Sequence, residues 1–269
     1  MMARLKSVAW LGAVLVISAT VLACGDSPTG PTPNPPVTQP PVENPPPPPP
    51  PPPAPPTLGT TRILAFGDSM TEGTTSAPMT TLLFRLDAGL SRSYPFKLQT
   101  LTTQRYSAQT IQVLNAGRAG NQAVNDIGRF STVIGDAKPE LVLLMEGAND
   151  LNGLAPGESI NARVSTTVNA LEEMVKDAGF RGIPVMIATL PPQRPGGPKA
   201  GAATFLGRFN DAVKSMAAKK GALLVDVNAL LSMLDIGQDG LHPTEAGYQR
   251  MAEIWLDAIK AKYEKPASP

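Results

Sequence analysis

Residue types that can do nucleophilic chemistry together occur at two widely separated places in this 269-residue chain. Ser69 stands in Phe66-Gly67-Asp68-Ser69, and Asp239 and His242 stand in Asp239-Gly240-Leu241-His242. A serine hydroxyl is a weak nucleophile until an adjacent base takes its proton, and imidazole is the common base near neutral pH. His242 is the only histidine, so no second residue of that type can take the part. A lone histidine is ordinarily structural. Here an aspartate lies three residues earlier, and a short loop can turn its carboxylate back onto Nδ1, fixing the tautomer and leaving Nε2 free as a base. Two further groups can donate to a developing anion: the Gly120 N–H in the stretch Asn115 to Asn121, and the Asn149 side chain, which carries two N–H groups. Each has a plainer reading. Gly-Asp-Ser is also ordinary turn chemistry, Gly117 and Gly120 suit any tight strand-to-helix turn, and Asn149 suits an Asx turn.

The elements that must position these residues follow from hydrophobic patterning. Ile63 to Phe66 is a short continuous apolar run, the pattern of a strand covered on both faces of a parallel sheet, and it breaks at Gly67 with Asp68 and Ser69 at its carboxyl end. Ile111 to Asn115 reads as a second strand, ending in the Gly117–Gly120 turn, with Asn121 as the expected cap of the next helix. Leu141 to Met145 is a third, followed by Glu146-Gly147-Ala148-Asn149-Asp150. Pro184 to Leu190 and Ala222 to Val227 complete five strands. Helices are expected over Tyr94–Tyr106, Glu158–Ala178 with Gly179 as the stop, Ala200–Lys219 with Gly221 as the C-cap, and from Thr244 and Glu245 to about Lys262. This alternation predicts an α/β fold with a parallel sheet, in which ligands sit outside the carboxyl ends of strands. The loop Pro191 to Pro198 is expected to rim that crevice. Leu82, Leu83, Phe84 and Leu86, within Thr80 to Leu90, either line an acyl pocket or pack a short helix into the core.

Composition sets the outer limits. The formal charge is +1 with no Lys/Arg cluster, so nucleic-acid binding lacks its electrostatic footprint. No cluster of His, Cys and carboxylates has metal-ligand spacing, no GxGxxG is present, and no cofactor is called for. Residues 1–23 read as a secretory signal, with Arg4 and Lys6 ahead of the apolar run Val8 to Leu22. Cys24, the only cysteine, follows that run in Val-Leu-Ala-Cys, which resembles a bacterial lipobox and points to lipidation, with plain secretion as the alternative. The expectation is a protein of the bacterial cell envelope, held to the membrane through its N-terminal lipid. Residues 24–60 are dominated by proline, unbroken from Pro45 to Pro53, and read as a polyproline II linker reaching roughly 90 Å at about 3.1 Å per residue. Gly25-Asp26-Ser27 repeats the earlier triplet, but no strand ends there, so context discards it. Residues 61–264 form the expected folded domain and 265–269 a flexible tail.

Four blocks in order, Phe66-Gly-Asp-Ser-Met-Thr-Glu-Gly73, Asn115-Ala-Gly-Arg-Ala-Gly120, Gly147-Ala-Asn-Asp150 and Asp239-Gly-Leu-His-Pro-Thr244, resemble the SGNH or GDSL-type hydrolases across essentially all of 61–262. One departure is Ala148, where threonine is frequent. The resemblance implies a flavodoxin-like three-layer α/β/α sandwich with a five-stranded parallel sheet of order 2-1-3-4-5. It implies Ser69 as nucleophile, His242 as base, Asp239 as its orienter, and an oxyanion hole from Ser69, Gly120 and Asn149. The implied protein is a cofactor-free, monomeric esterase acting on small-molecule or glycan-borne carboxylic esters through an acyl-enzyme. Two alternatives remain open at this point: an acyltransferase or O-deacetylase on glycans, and a tethered binding module without turnover.

Overall fold

The computed structural model describes Gly30, residues 54–74 and residues 91–265. The expectations for the signal segment, for Cys24, for most of the proline linker and for the Thr80–Leu90 pocket lie outside the described residues. In chain order the elements are β1 (Thr57–Leu58), β2 (Arg62–Gly67), α1 (Ser69–Glu72), α2 (Tyr94–Arg105), β3 (Gln112–Gly117), α3 (Ala123–Ala137), β4 (Leu141–Met145), α4 (Ala148–Asn152) and α5 (Ile160–Phe180). They continue with β5 (Val185–Ala188), α6 (Leu206–Lys220), β6 (Leu223–Val225), α7 (Val227–Leu230), a 3-10 turn at Met233–Asp235, α8 (Glu245–Tyr263) and β7 (Glu264–Lys265).

Five strands form one parallel sheet of order β3-β2-β4-β5-β6. Counted within that sheet the order is 2-1-3-4-5, the flavodoxin-like arrangement. Every residue of β4 and β5 is buried, as is β2 after Arg62, which is why these strands read as unbroken apolar runs. Helices cover both faces. α2 packs on α8, where Tyr94 stacks on the fully buried Trp255 at 6.0 Å between ring centroids. α3, α5 and α6 pack side by side. Among the described residues no helix is long and apolar enough to cross a membrane.

Register aligns the functional end of the sheet. Gly67 of β2 lies level with Gly117 of β3 and Met145 of β4. The turns that leave these three strands therefore start side by side at one edge of the molecule. A side chain at Gly67 would put its Cβ 2.0 Å from the Met145 carbonyl oxygen, so glycine is what lets β2 end flush against β4.

A second, two-stranded antiparallel ladder pairs β1 with β7, Thr57 with Lys265 and Leu58 with Glu264. Residues 57–60 thus belong to the folded unit rather than to the spacer, and Lys265 belongs to it rather than to the tail. The reason is burial. Leu58 is enclosed in the core, its N–H and carbonyl are both paired with the Gln109 side chain, and Gly59 donates to the Tyr263 carbonyl.

Candidate active site

Ser69 is the first residue of α1, and it is 5% exposed at the carboxyl end of β2. Asp68 caps this short helix, its Oδ1 accepting from the Met70 N–H at 3.0 Å. Asn115 at the end of β3 holds the same turn from the side, donating from Nδ2 to the Thr71 carbonyl at 3.0 Å and accepting the Gly117 N–H at 2.8 Å.

His242 arrives from the far end of the sequence. Its Nε2 lies 2.9 Å from Ser69 Oγ, and its Nδ1 lies 2.6 Å from Asp239 Oδ2. The other Asp239 oxygen accepts the backbone N–H groups of Leu241 at 3.1 Å and His242 at 3.0 Å. Those two bonds curl the Asp239–His242 loop so that the carboxylate faces the ring of the residue three places on. With Asp239 accepting at Nδ1–H, Nε2 is left as the acceptor facing the serine hydroxyl. The loop is fixed from outside by the rim segment: Arg194 donates its N–H to the Gly240 carbonyl at 2.8 Å, and Lys199 donates its N–H to the Asp239 carbonyl at 2.9 Å.

Electrostatics suit a neutral imidazole. Burial lowers the His242 pKa below its ordinary value, and the bond and charge of Asp239 oppose this only in part. Burial raises Asp239, but the bonds from the His242 ring and from two backbone N–H groups outweigh it and hold the carboxyl below its ordinary range. Lys199 adds a positive charge, with Nζ 3.6 Å from Asp239 Oδ2 and a side chain 54% exposed.

Gly120 sits third in a tight turn closed by the Asn121 N–H on the Arg118 carbonyl at 3.2 Å. Its φ is +82°, while a Cβ there would meet nothing within 4 Å, so glycine is required by conformation and not by space. Asn149, at the start of α4, donates from Nδ2 to the Asn121 carbonyl at 2.8 Å. That bond uses one amide proton and leaves the second for another acceptor. The structure thus brings Ser69, His242 and Asp239 into direct contact, and it sets Gly120 and Asn149 beside one another through Asn121, in the turns that leave the carboxyl ends of β3 and β4.

One local expectation is corrected. Asn121 does not cap α3. Its side chain donates to Asp126 Oδ1 at 2.5 Å, and the N-terminus of α3 is capped from another element, by Asp150, which accepts from Ala123 at 2.8 Å and Val124 at 3.2 Å. A carboxylate reaching both free N–H groups is a stronger partner for a helix N-terminus than a neutral amide.

Sequence reasoning missed a buried polar group behind the site: Asp68, Asp126, Glu146 and Asp150, with Arg129. Burial raises the Asp68 carboxyl to about 7, and it raises Glu146 well above the ordinary range. A usable signal existed for two of them. Asp126 and Arg129 are spaced i,i+3 on one helix, and Glu146 is a carboxylate placed directly after five apolar strand residues. Among the described residues no group of His, Cys, Asp or Glu is arranged to hold a metal ion.

Comparison with known proteins agrees with this fold. The chain is similar in fold to a lipase/acylhydrolase from Enterococcus faecalis, with a TM-score of 0.61 and 22% identity over 78% of this chain and 100% of that one. It is similar to an acetylxylan esterase from Geobacillus stearothermophilus, with a TM-score of 0.60 and 21% identity over 75% of this chain and 95% of that one. A multidomain esterase of Ruminococcus flavefaciens is 24% identical over 169 residues, which is 61% of this chain and 21% of that protein, so the chain spans about a fifth of the length of this relative. The sequence profile of the GDSL-like lipase/acylhydrolase family matches residues 65–250, from the middle of β2 into α8, and the chain belongs to that family.

Proposed function

We propose that this protein hydrolyses carboxylic esters with a Ser69–His242–Asp239 triad, through an acyl-enzyme. The observation that carries the reading is the unbroken contact from Ser69 Oγ to His242 Nε2 at 2.9 Å and from Nδ1 to Asp239 at 2.6 Å. Oγ attacks the ester carbonyl carbon while Nε2 takes the hydroxyl proton, and the carbonyl π electrons move onto oxygen. The Ser69 and Gly120 N–H groups and the free Asn149 amide proton are the donors assigned to that oxyanion. Removing one such donor typically costs about 3–4 kcal/mol of transition-state stabilisation. Collapse expels the alcohol, which takes the proton from Nε2, and water then repeats the sequence to release the acid and restore Ser69. A glycan-borne acetyl ester is the second substrate reading, favoured by the fold shared with the acetylxylan esterase.

The test is turnover of p-nitrophenyl acetate, octanoate and palmitate and of acetylated xylan, by the protein and by Ser69→Ala. The variant is expected to lose about 10⁴-fold or more of the rate. Release of acetate from xylan, with no hydrolysis of the longer esters, selects the second reading. Full turnover by Ser69→Ala removes Ser69 from the mechanism, and saturable binding of acetylated xylan with no turnover of any ester replaces the hydrolase by the binding module.

A further inference from the structure

We propose that Asp126 is a positioning residue for the oxyanion hole, acting through Asn121 and anchored by Arg129; the inference rests on the esterase reading above. Asp126 is 3% exposed, on the first turn of α3, and touches neither Ser69 nor His242. Its two oxygens face opposite ways. Oδ1 accepts from Asn121 Nδ2 at 2.5 Å, and Oδ2 accepts from the Arg129 guanidinium, at 2.9 Å from Nε and also from Nη2.

Arg129 carries the link into the sheet. Its Nη1 donates to the Ala116 carbonyl at 2.8 Å and its Nη2 to the Gly67 carbonyl at 3.2 Å, so one guanidinium ties the ends of β3 and β2 together. Its plane is held 4.0 Å over the Phe66 ring. Gly67 O also accepts the Arg118 N–H at 2.9 Å, the first residue of the Gly120 turn. From the other side, Asn121 gives its carbonyl to Asn149 Nδ2 at 2.8 Å.

The three proposed oxyanion donors therefore share one support. The Ser69 turn leaves from Gly67, the Gly120 N–H sits one residue before Asn121, and the Asn149 amide rests on the Asn121 carbonyl. The Asp126–Arg129 pair touches Gly67 and Asn121 directly, reaches Asn149 through the Asn121 carbonyl, and touches none of the reacting atoms. A donor is effective only when it already stands about 3 Å from where the oxyanion will form, so a small shift of the Asn121 turn displaces two of three donors at once. Glu146, buried beside Asp126 and facing its charge, adds the reason why Arg129 is needed: burial and the Asp126 carboxylate push Glu146 well above its ordinary range, so the Asp126–Arg129 pair is the charged couple of this group.

The experiment compares Asn121→Ala, Asp126→Ala and the double variant with the unaltered full chain, on a short p-nitrophenyl ester. Asn121→Ala removes the link and leaves the Asp126–Arg129 pair intact. Its kcat is expected to fall about 10- to 100-fold with KM within threefold, because the lost interaction belongs to the transition state. Inhibition by phenylboronic acid, whose tetrahedral serine adduct fills the hole, is expected to weaken by a similar factor. The acid limb of the pH profile is expected to stay where it is, since the triad is untouched. The double variant is expected to lose no more than the worse single variant, as for residues on one path. A kcat within twofold of the unaltered chain in a folded variant, a KM effect without a kcat effect, or independent multiplying losses overturns the proposal. Where Asp126→Ala does not fold, Asn121→Ala alone decides. Absence of turnover by the unaltered chain is instead a failure of the esterase reading.

Discussion

At the scale of single residues the chemistry depends on one proton. His242 can take the Ser69 proton only while Nε2 is unprotonated. Burial disfavours the imidazolium more than Asp239 favours it, so the ring titrates below its ordinary 6.5. Activity governed by the free enzyme is therefore expected to hold as pH falls past 6.5 and to be lost only lower down. Lys199 contributes in the same direction, since its charge also disfavours the imidazolium. Lys199→Ala is expected to move the acid limb of kcat/KM to higher pH, with the plateau little changed. A pH–rate profile from about pH 4 to about pH 8 on p-nitrophenyl acetate reads both. An acid limb above 6.5 in the unaltered protein, or a limb moving to lower pH in the variant, contradicts the argument. Ser69, Asp239 and His242 were legible in the sequence because each motif is short and makes its own local geometry. Asp239 needs only three residues to return onto His242. Lys199 was not legible, because its contact with Asp239 is made between two loops that leave different strands, and nothing in either loop names the other.

At the scale of elements, strands were legible in type and helices in type but less so in their ends. The apolar runs at 63–66 and 141–145 have no other use than burial on both faces, and the structure uses them so. Ends moved where a local signal competed with packing. α5 continues past Gly179 to Phe180, and the left-handed residue is Gly182, because the helix buries Ala178 and its C-terminal turn is completed by Asp177–Arg181 contacts. α6 begins at Leu206 rather than Ala200, because the preceding residues are held in turns by Asn152, Gln193 and their own backbone. The four-residue helix α1 carries the largest tension. Its cap, Asp68, is wholly buried, and Oδ2 has no partner among the described residues. Burial raises its pKa from 3.8 to about 7, against the Met70 bond and aided by the Asp150 charge. Between those values the folded state holds a proton that the unfolded state has released. Stability contributed at low pH is therefore lost as pH rises through that window, by up to about 4 kcal/mol. Asp68→Asn keeps the acceptor for the Met70 N–H and cannot ionise. Thermal melts are expected to show the variant and the unaltered chain alike near pH 4 and the variant clearly more stable near pH 8. An equal difference at both pH values shows that Asp68 is not the group responsible.

At the scale of the whole molecule, the chemistry and a large part of the closure sit at opposite ends of the sheet. Ser69, Gly120 and Asn149 leave from the carboxyl ends of β2, β3 and β4. The β1–β7 ladder lies where β2 begins, and it joins the chain on either side of the described domain. Around it Glu264 accepts from Arg105 at 2.6 and 2.8 Å and from the Tyr106 hydroxyl at 2.7 Å. This closure was hidden in the sequence, since two residues make no strand pattern and the prolines before Thr57 point to a spacer. The separation gives a test. A chain beginning at Thr61 lacks Leu58, whose burial is worth about 1.5–3 kcal/mol, and leaves the Gln109 side chain without its two backbone partners. At about 2–4 °C per kcal/mol for a domain of this size, its melting temperature is expected to fall about 5–10 °C below that of a chain beginning at Ala54. Its kcat on a short ester, measured well below both melting temperatures, is expected to be unchanged, because the lost contacts are at the far end of β2 from Ser69. A fall in kcat at constant fold means that the clasp transmits to the site through β2. An unchanged melting temperature means that the ladder only follows a fold already closed by α2 on α8.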